Sequence, residues 1–301
     1  MHITFLGTSA GTPTRQRNVS GLVLERAGRQ WLFDCGEGTQ HRFLELPVSR
    51  GRLDRIFITH LHGDHVFGLP GLLAGMSLLR RERPLDLHGP PGLERLVRGA
   101  LEATSSHLTY ELRVHTTEPG VVFEDDQQVV TAAALQHRVR AFGYRVQERD
   151  RPGTFDVATA RTLGVPPGPL LGRLARGESV EVDGRTVSPD GLIGPPKPGL
   201  SFAYITDTTP CESAVGLAHG VDLLVHEATF AESEAELAVS QEHSTGAGAA
   251  GVARAADVGR LVLFHVSARY DDDGLARLVA EAAAVFPEVV FASDGDRYEV
   301  G

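Results

Sequence analysis

Short runs rich in β-branched and aromatic residues recur along the chain. They are "HITFL" (2–6), "GLVLE" (21–25), "RIFIT" (55–59), "QVVTAAAL" (128–135), "AFGYRV" (141–146), "SFAYIT" (201–206), "VDLLV" (221–225), "RLVLFHV" (260–266) and "EVVFAS" (288–293). Their length and their flanking Gly, Pro or Asp predict strands. Between them, Leu69, Leu72, Leu73 and Met76 repeat at i, i+3, i+4 and i+7, as do Leu275, Leu278, Val279 and Ala282. That is the spacing of one apolar helical face. The second set follows Asp271–Asp273, acids placed to complement a helix N-terminus. Strands interleaved with helices predict sheets with helices packed outside them, an α/β or α+β architecture.

Residues 151–200 break this pattern. They hold eight prolines and nine glycines, including "GVPPGPLLG" (164–172) and "GPPKPG" (194–199). That density argues against core helices and central strands. Two readings stand: a long surface loop, partly disordered, or an arm that grips a partner.

A chain of 301 residues buries a sizeable core. No apolar run approaches about 18 residues, so no membrane span is expected. The start, "MHITFLGTSAGTP", lacks the basic and apolar regions of a secretion signal. Cys35 and Cys211 are the only cysteines, too few for a disulfide framework, which points to a reducing cytoplasm. The net charge of −10 argues against a protein that coats nucleic acid by charge alone, and no DNA partner is expected. The acid is unevenly spread: residues 1–30 carry four arginines against Glu25 alone, and residues 151–200 carry six basic against five acidic residues. A polyanion would therefore dock through these local elements.

The chemistry concentrates in "FITHLHGDHVFGLPGLL" (57–73). His60 and His62 close a strand-like run, where alternation puts both on one face. Gly63 then allows a tight turn, and Asp64 and His65 start the next helix. Four N/O donors converging in one loop is how a transition-metal site is built. Four donors are too few for two ions, and His137, Asp207 and His265 sit near the ends of other strand-like runs, where further ligands belong. Seven such donors suffice for two ions sharing a carboxylate, and without thiolate they suit Zn²⁺ or Mn²⁺ with an open position. Two ions about 3.5–4 Å apart suit phosphodiester hydrolysis by water. Attack by water rather than by a 2′-OH leaves 3′-hydroxyl and 5′-phosphate ends.

The H-x-H-x-D-H run with distant His, Asp and His resembles the metallo-β-lactamase superfamily. That resemblance implies an α+β fold, a four-layer αββα sandwich with its metals at one sheet edge, here with an inserted flexible arm at 151–198 and a single domain over 1–301. Finer motifs narrow it: "FLGTSAGTPTRQRN" (5–18), "LFDCGEGTQ" (32–40), "THLHGDHVFGLPGLL" (59–73), "HRVRAFGYRV" (137–146), "HEATF" (226–230), "HST" (243–245) and "HVSARY" (265–270). Together they resemble the short-form ribonuclease Z family of tRNA 3′-processing endonucleases, over about residues 3–295.

The resemblance implies that His60, His62 and His137 hold one zinc and that Asp64, His65 and His265 hold the other, with Asp207 bridging. Asp64 would also take the proton of the attacking water. His243, steered by Glu227, would protonate the leaving 3′ oxygen. On the residues alone, Glu227 also reads as a helix N-terminal acid and His243 as a capping neighbour. Ser267, Arg269 and Tyr270 would contact phosphate, although simple packing also accounts for Tyr270. "PTRQRN" matches the family's P-x-K-x-R-N loop, implying that Arg15, Arg17 and Asn18 read the RNA end. Arg15 there replaces the family's Lys, and Arg and Lys are not equivalent at a recognition site. At "ITDTTP" (205–210), Thr206 and Thr209 replace a usual Gly and Arg beside Asp207. The Pro/Gly-rich segment, with "PPGP" at 166–169, would clasp the tRNA elbow, and a homodimer is implied. The partner set is thus precursor tRNA and a second copy of the chain. Two rivals stand beside this: another hydrolase on the same scaffold, such as a phosphodiesterase or thioesterase, and a metal-binding protein without catalysis. Loss of tRNA cleavage on deletion of the arm separates the first, and an inert Asp64→Ala comparison would favour the second.

Overall fold

In the computed structural model, which describes residues 1–301, two seven-stranded sheets carry the chain's apolar runs. The first sheet runs Arg297–Glu299, His2–Gly7, Gly21–Arg26, Arg29–Phe33, Leu53–Phe57, Leu85–Gly89, Leu112–Thr116. The second runs Val289–Phe291, Leu261–Phe264, Leu223–Glu227, Ser201–Ile205, Ala141–Glu148, Gln128–Leu135, Gly120–Glu124. Side-chain alternation sorts each strand between two faces. Phe5, Leu22, Leu24, Trp31, Phe33 and Phe57 of the first sheet meet Phe142, Tyr144, Phe202, Tyr204, Val225 and Phe264 of the second in one shared core. Their intervening neighbours point outward. Val23, Leu32 and Ile56 pack under helix Leu69–Leu78 and helix Leu93–Ala103. Ala203, Ile205, Leu224 and Leu263 pack under helices Glu212–Ala218, Gly246–Ala255 and Asp272–Ala283. The result is four layers, helix–sheet–sheet–helix. Each fully buried large side chain contributes about 1.5–3 kcal/mol relative to exposure.

The two helical faces anticipated from periodicity both form, and Asp271 caps the second by accepting a hydrogen bond from the Gly274 amide at 2.9 Å. Several elements differ from the sequence reading. Strand Leu53–Phe57 stops before Thr59, so His60 and His62 lie beyond the strand rather than on its face. Gly63 opens the four-residue helix Gly63–Val66 rather than making a turn before it. Strands such as Arg29–Phe33, Leu85–Gly89 and Leu112–Thr116 carry too few β-branched residues to have stood out.

Residues 148–199 form a separate compact unit from residues 1–147 and 200–301. The surface-loop expectation is corrected here. The unit holds helices Val157–Thr162 and Pro169–Ala175, a hairpin of Val180–Val182 with Arg185–Val187, and its own apolar cluster around Leu174. Proline does not prevent this, because Pro169 occupies a first-turn position where its missing N–H costs nothing.

Candidate metal centre

Strand ends deliver the site. In the second sheet, Ser201–Ile205, Leu223–Glu227 and Leu261–Phe264 run parallel, so their C-terminal ends bring Asp207, Glu227 and His265 to one edge. Parallel pairing of Arg29–Phe33 with Leu53–Phe57 does the same for Asp34 and the 60–65 loop. Ligand sites form at such carboxyl ends. Three of these residues have left-handed backbones: Asp34 (φ 56°), Asp207 (φ 49°) and His265 (φ 57°). Such conformations cost about 1–3 kcal/mol each and persist where the surroundings demand them. Two glycines allow the loops to close. A Cβ at Gly36 would sit 2.3 Å from the Asp64 carbonyl oxygen, and one at Gly68 would sit 2.0 Å from that of Gly36.

The donor atoms fall into sets. His60, His62, His137 and Asp207 form one, and Asp64, His65 and His265 another, all within 4.8 Å of one another in each set. In the first, His60 Nε2 lies 3.1 Å from His62 Nδ1, His137 Nε2 lies 3.2 Å from the same atom, and Asp207 Oδ2 lies 3.5 Å from His60 Nε2. In the second, His65 Nε2 is 3.2 Å from His265 Nε2, and Asp64 Oδ2 is 3.4 Å and 3.5 Å from the two rings. Asp207 Oδ1 joins this second set at 3.3 Å and 3.2 Å from the same rings. A tetrahedral ion with 2.0–2.1 Å bonds has ligand–ligand edges of about 3.3 Å. The spacings therefore fit two cations, with one oxygen of Asp207 for each.

The far nitrogens fit the same reading, since a ligating imidazole donates its other N–H to an acceptor. His65 Nδ1 donates to Asp34 Oδ2 at 2.8 Å, His137 Nδ1 to the Glu242 carbonyl at 3.0 Å, His60 Nδ1 to Thr59 Oγ1 at 3.0 Å, and His265 Nδ1 to Thr229 Oγ1 at 3.0 Å. Thr59 and Thr229 pass the charge on, donating to Asp34 and Glu227. Asp34, fully buried, also accepts from the Thr59 amide and the Tyr204 hydroxyl. Asp34, Thr59 and Thr229 were not singled out from sequence. Asp34 had a signal, an acid directly after the apolar run "RQWLF".

The imidazoles and carboxylates of the cluster shift one another strongly. Burial, then neighbouring imidazoles, pushes His60 and His62 below the ordinary range, which favours the neutral, ligating form. Burial disfavours charge on Asp64, yet His65 and His265 hold its carboxyl far below the carboxylate range. Asp207 is likewise buried, and His265, His65 and His60 bring it well down.

Beside the cluster, Glu227 Oε1 accepts from His243 Nδ1 at 2.9 Å, and His243 Nε2 lies 4.0 Å from Asp207 Oδ2. Burial opposes charge on His243, but Glu227 and then Asp207 outweigh it and raise the imidazole to about 9. Glu227 ends a strand and accepts from the Thr208 amide and from Thr229, so it is a buried hub rather than a helix N-terminal acid.

The six residues expected from sequence to touch RNA have different surroundings. Arg15 is exposed. Arg17 Nη1 donates to Thr8 Oγ1 at 2.6 Å and to the Ala292 carbonyl at 2.8 Å, with its guanidinium 5.2 Å from the Phe291 ring centre. The Asn18 amide donates to Asp294 Oδ2 at 2.6 Å. Arg269 donates to Ser267 Oγ at 3.0 Å and pairs with Glu234, to which Tyr270 also donates. A cavity of about 520 Å³ joins the two loops, lined in part by Thr14, Gln16, Arg17, Ser267 and Tyr270.

The chain is similar to several known proteins. It is 50% identical over 306 residues to the ribonuclease Z of Gloeothece citriformis, covering 100% of this chain and 96% of that one. It is 51% identical to the ribonuclease Z of Trichodesmium erythraeum, covering 100% and 95%. Its fold matches the crystal structure of human tRNase Z, short form, with a TM-score of 0.75, 30% identity and full coverage of both chains. The metallo-β-lactamase fold protein YhfI of Bacillus subtilis shares the fold at a TM-score of 0.70 and 19% identity, covering 99% and 98%. Residues 1–139 match the family model described as anti-Pycsar protein Apyc1.

Proposed function

Since this chain belongs to the ribonuclease Z family and is a tRNA 3′-processing endoribonuclease, we propose that it removes the 3′ trailer of precursor tRNA with two Zn²⁺ ions per subunit. The cut would leave a 3′-hydroxyl on the tRNA and a 5′-phosphate on the trailer. One observation carries this: two donor sets share the two oxygens of Asp207, with His243 Nε2 4.0 Å from one of them.

His60, His62, His137 and Asp207 would hold one ion, and Asp64, His65, His265 and Asp207 the other, with Mn²⁺ able to substitute. The ions would acidify the attacking water and offset charge on the phosphoryl oxygens. Asp64 Oδ2 already faces the donor set and the Gly11 amide, which leaves Oδ1 to orient the water and take its proton. As the P–O3′ bond breaks, His243 Nε2 gives its proton to the departing oxygen, while Nδ1–H stays on Glu227. Ser267, Arg269 and Tyr270 would meet phosphate beside His265, and Arg15 and its loop would meet the RNA end. Residues 151–198 would grip the tRNA at its elbow by shape and backbone contacts. A cytoplasmic homodimer completes the reading. No helix is long and apolar enough to cross a membrane.

The test is cleavage of labelled precursor tRNA, with and without chelator, and mapping of both new ends. Asp64→Ala should lower kcat by orders of magnitude, about 10³-fold or more for a lost ligand and base together. Cleavage by that variant at the unaltered rate would refute the assignment.

A further inference from the structure

The loop between strand His2–Gly7 and strand Gly21–Arg26 does more than border the site. Its Gly11 amide donates to Asp64 Oδ2 at 2.7 Å, the same oxygen that faces His65 and His265. Asp64 is otherwise held by the short helix Gly63–Val66 on which it sits and by the His65 and His265 rings. Where Gly11 stands therefore bears on where the Asp64 carboxylate points.

Gly11 is fixed from a distance. Both ends of its loop converge on one carboxylate: Thr8 Oγ1 donates to Asp294 Oδ1 at 2.7 Å, and the Asn18 amide donates to Asp294 Oδ2 at 2.6 Å. Arg17 completes the clamp by donating to Thr8 Oγ1 and the Ala292 carbonyl. The Asn18 carbonyl accepts from the Thr8 and Ser9 amides at 2.9 Å each, so the two ends are also pinned to each other. Thr8 further ties the loop to the second ligand strand, because its carbonyl accepts from the Val266 amide, next to His265, at 3.0 Å. Arg42 Nη2 lies 3.9 Å from Asp294 Oδ2 and balances its charge.

We propose that Asp294 is a positioning residue for the cleavage reaction: by clamping Thr8 and Asn18 it sets the 8–18 loop so that the Gly11 amide orients the Asp64 carboxylate. This rests on the reading of Asp64 as ligand and proton acceptor. On this account Arg17 and Asn18 serve the loop's shape, and Arg15 is the loop's basic contact with RNA. Such outer contacts to a metal ligand are commonly worth 10- to 100-fold in activity or metal affinity.

The experiment uses the full-length holoenzyme with Asp294→Asn, which keeps the shape but turns one acceptor into a donor. Thr8→Val, which deletes the other half of the clamp, is the second variant and carries the test if the first does not fold. Three quantities are read: steady-state cleavage of a precursor tRNA, retention of metal against a competing chelator, and hydrogen exchange of the peptide spanning 8–18. The expected result is kcat lower by about 10- to 100-fold with KM within about twofold, and weaker retention of one metal equivalent. Exchange should quicken in 8–18 while the core strands stay as protected as in the parent. Unchanged kcat and metal retention in a folded variant would overturn the proposal, as would a general rise in exchange, the mark of a merely structural role. Asp64→Ala run alongside separates the two readings: if it cleaves normally, the role of Asp64 fails; if it is dead while Asp294→Asn is normal, only the clamp fails.

Discussion

Single residues in this protein are placed at a cost that their surroundings repay. Asp34, Asp207 and His265 hold left-handed backbones at strand ends, and each directs a polar side chain into the cluster. His88 is the contrasting case, a buried polar ring with no such task in the site. It lies between Phe57, with ring centres 4.8 Å apart, and His115, at 4.6 Å, and its Nε2 has no hydrogen-bond partner. Burial, then the neighbouring His115, lowers it to about 4; Asp86 pulls the other way and Arg55 adds to the lowering. The sign follows from which state binds the proton. Below pH about 6.5 the unfolded chain protonates His88, while the folded chain stays neutral until about pH 4. Stability is thus present above 6.5 and is lost as pH falls, by about 3 kcal/mol once below both values. His88→Phe keeps the ring stack and removes the titration. Urea unfolding at pH 7 and pH 4.5 should show the variant losing about 2–3 kcal/mol less than the parent over that interval. Parallel losses in the two proteins would rule the account out.

At the scale of elements, what was legible in sequence depended on how local the signal was. "QVVTAAAL" became strand Gln128–Leu135 to the residue, because one alternating run holds all the information. The His60–His65 cluster was legible for the same reason, six positions carrying four donors. His137, Asp207 and His265 stand out as donors near strand ends, but their division between two ions comes only from the family motifs, since no local pattern says which strand ends meet. Asp34 and Asp294 are harder to read: each is a lone acid whose partner, His65 on a short helix and Thr8 in a loop, lies elsewhere along the chain. In residues 151–200 the position of proline matters more than its number: Pro169 sits where a helix tolerates it. The helix Asp272–Ala283 allows a quantitative check at this scale. Asp271 was read as one of three acids near a helix start, and its side chain makes the capping bond to Gly274. Asp271→Ala should cost about 1 kcal/mol, seen as a lower urea midpoint, while metal content stays unchanged. A loss far above 2 kcal/mol would mean that Asp271 supports more than its helix.

For the molecule as a whole, the problem is how a chain of net charge −10 holds a polyanion. Repulsion over the acidic body must be offset by local contacts; on the proposed reading the unit at residues 148–199, which has a frame of its own, would supply them. Its apolar cluster draws only on side chains between 155 and 192. Its chain enters and leaves side by side: Arg151 pairs with Lys197, Phe155 bridges to Ile193, and the Gly194 amide donates to the Thr154 carbonyl at 3.0 Å. Residues 155–193 can therefore be excised and Thr154 joined to Gly194 through two glycines without stretching the chain. If this unit anchors the tRNA, the shortened protein should retain metal and hydrolyse a small phosphodiester such as bis(p-nitrophenyl) phosphate at about the parent rate. Its kcat/KM on precursor tRNA should fall by about a hundredfold, the equivalent of about 2.8 kcal/mol of lost binding. The fall should lie in KM more than in kcat, because the anchoring contacts act alike in the bound and reacting states. Raising the salt concentration should narrow the gap between the two proteins, since contacts to phosphate weaken as ions compete for it. Undiminished tRNA cleavage by the shortened chain would mean that the acidic body holds its substrate unaided, and the role given to this unit would have to be abandoned.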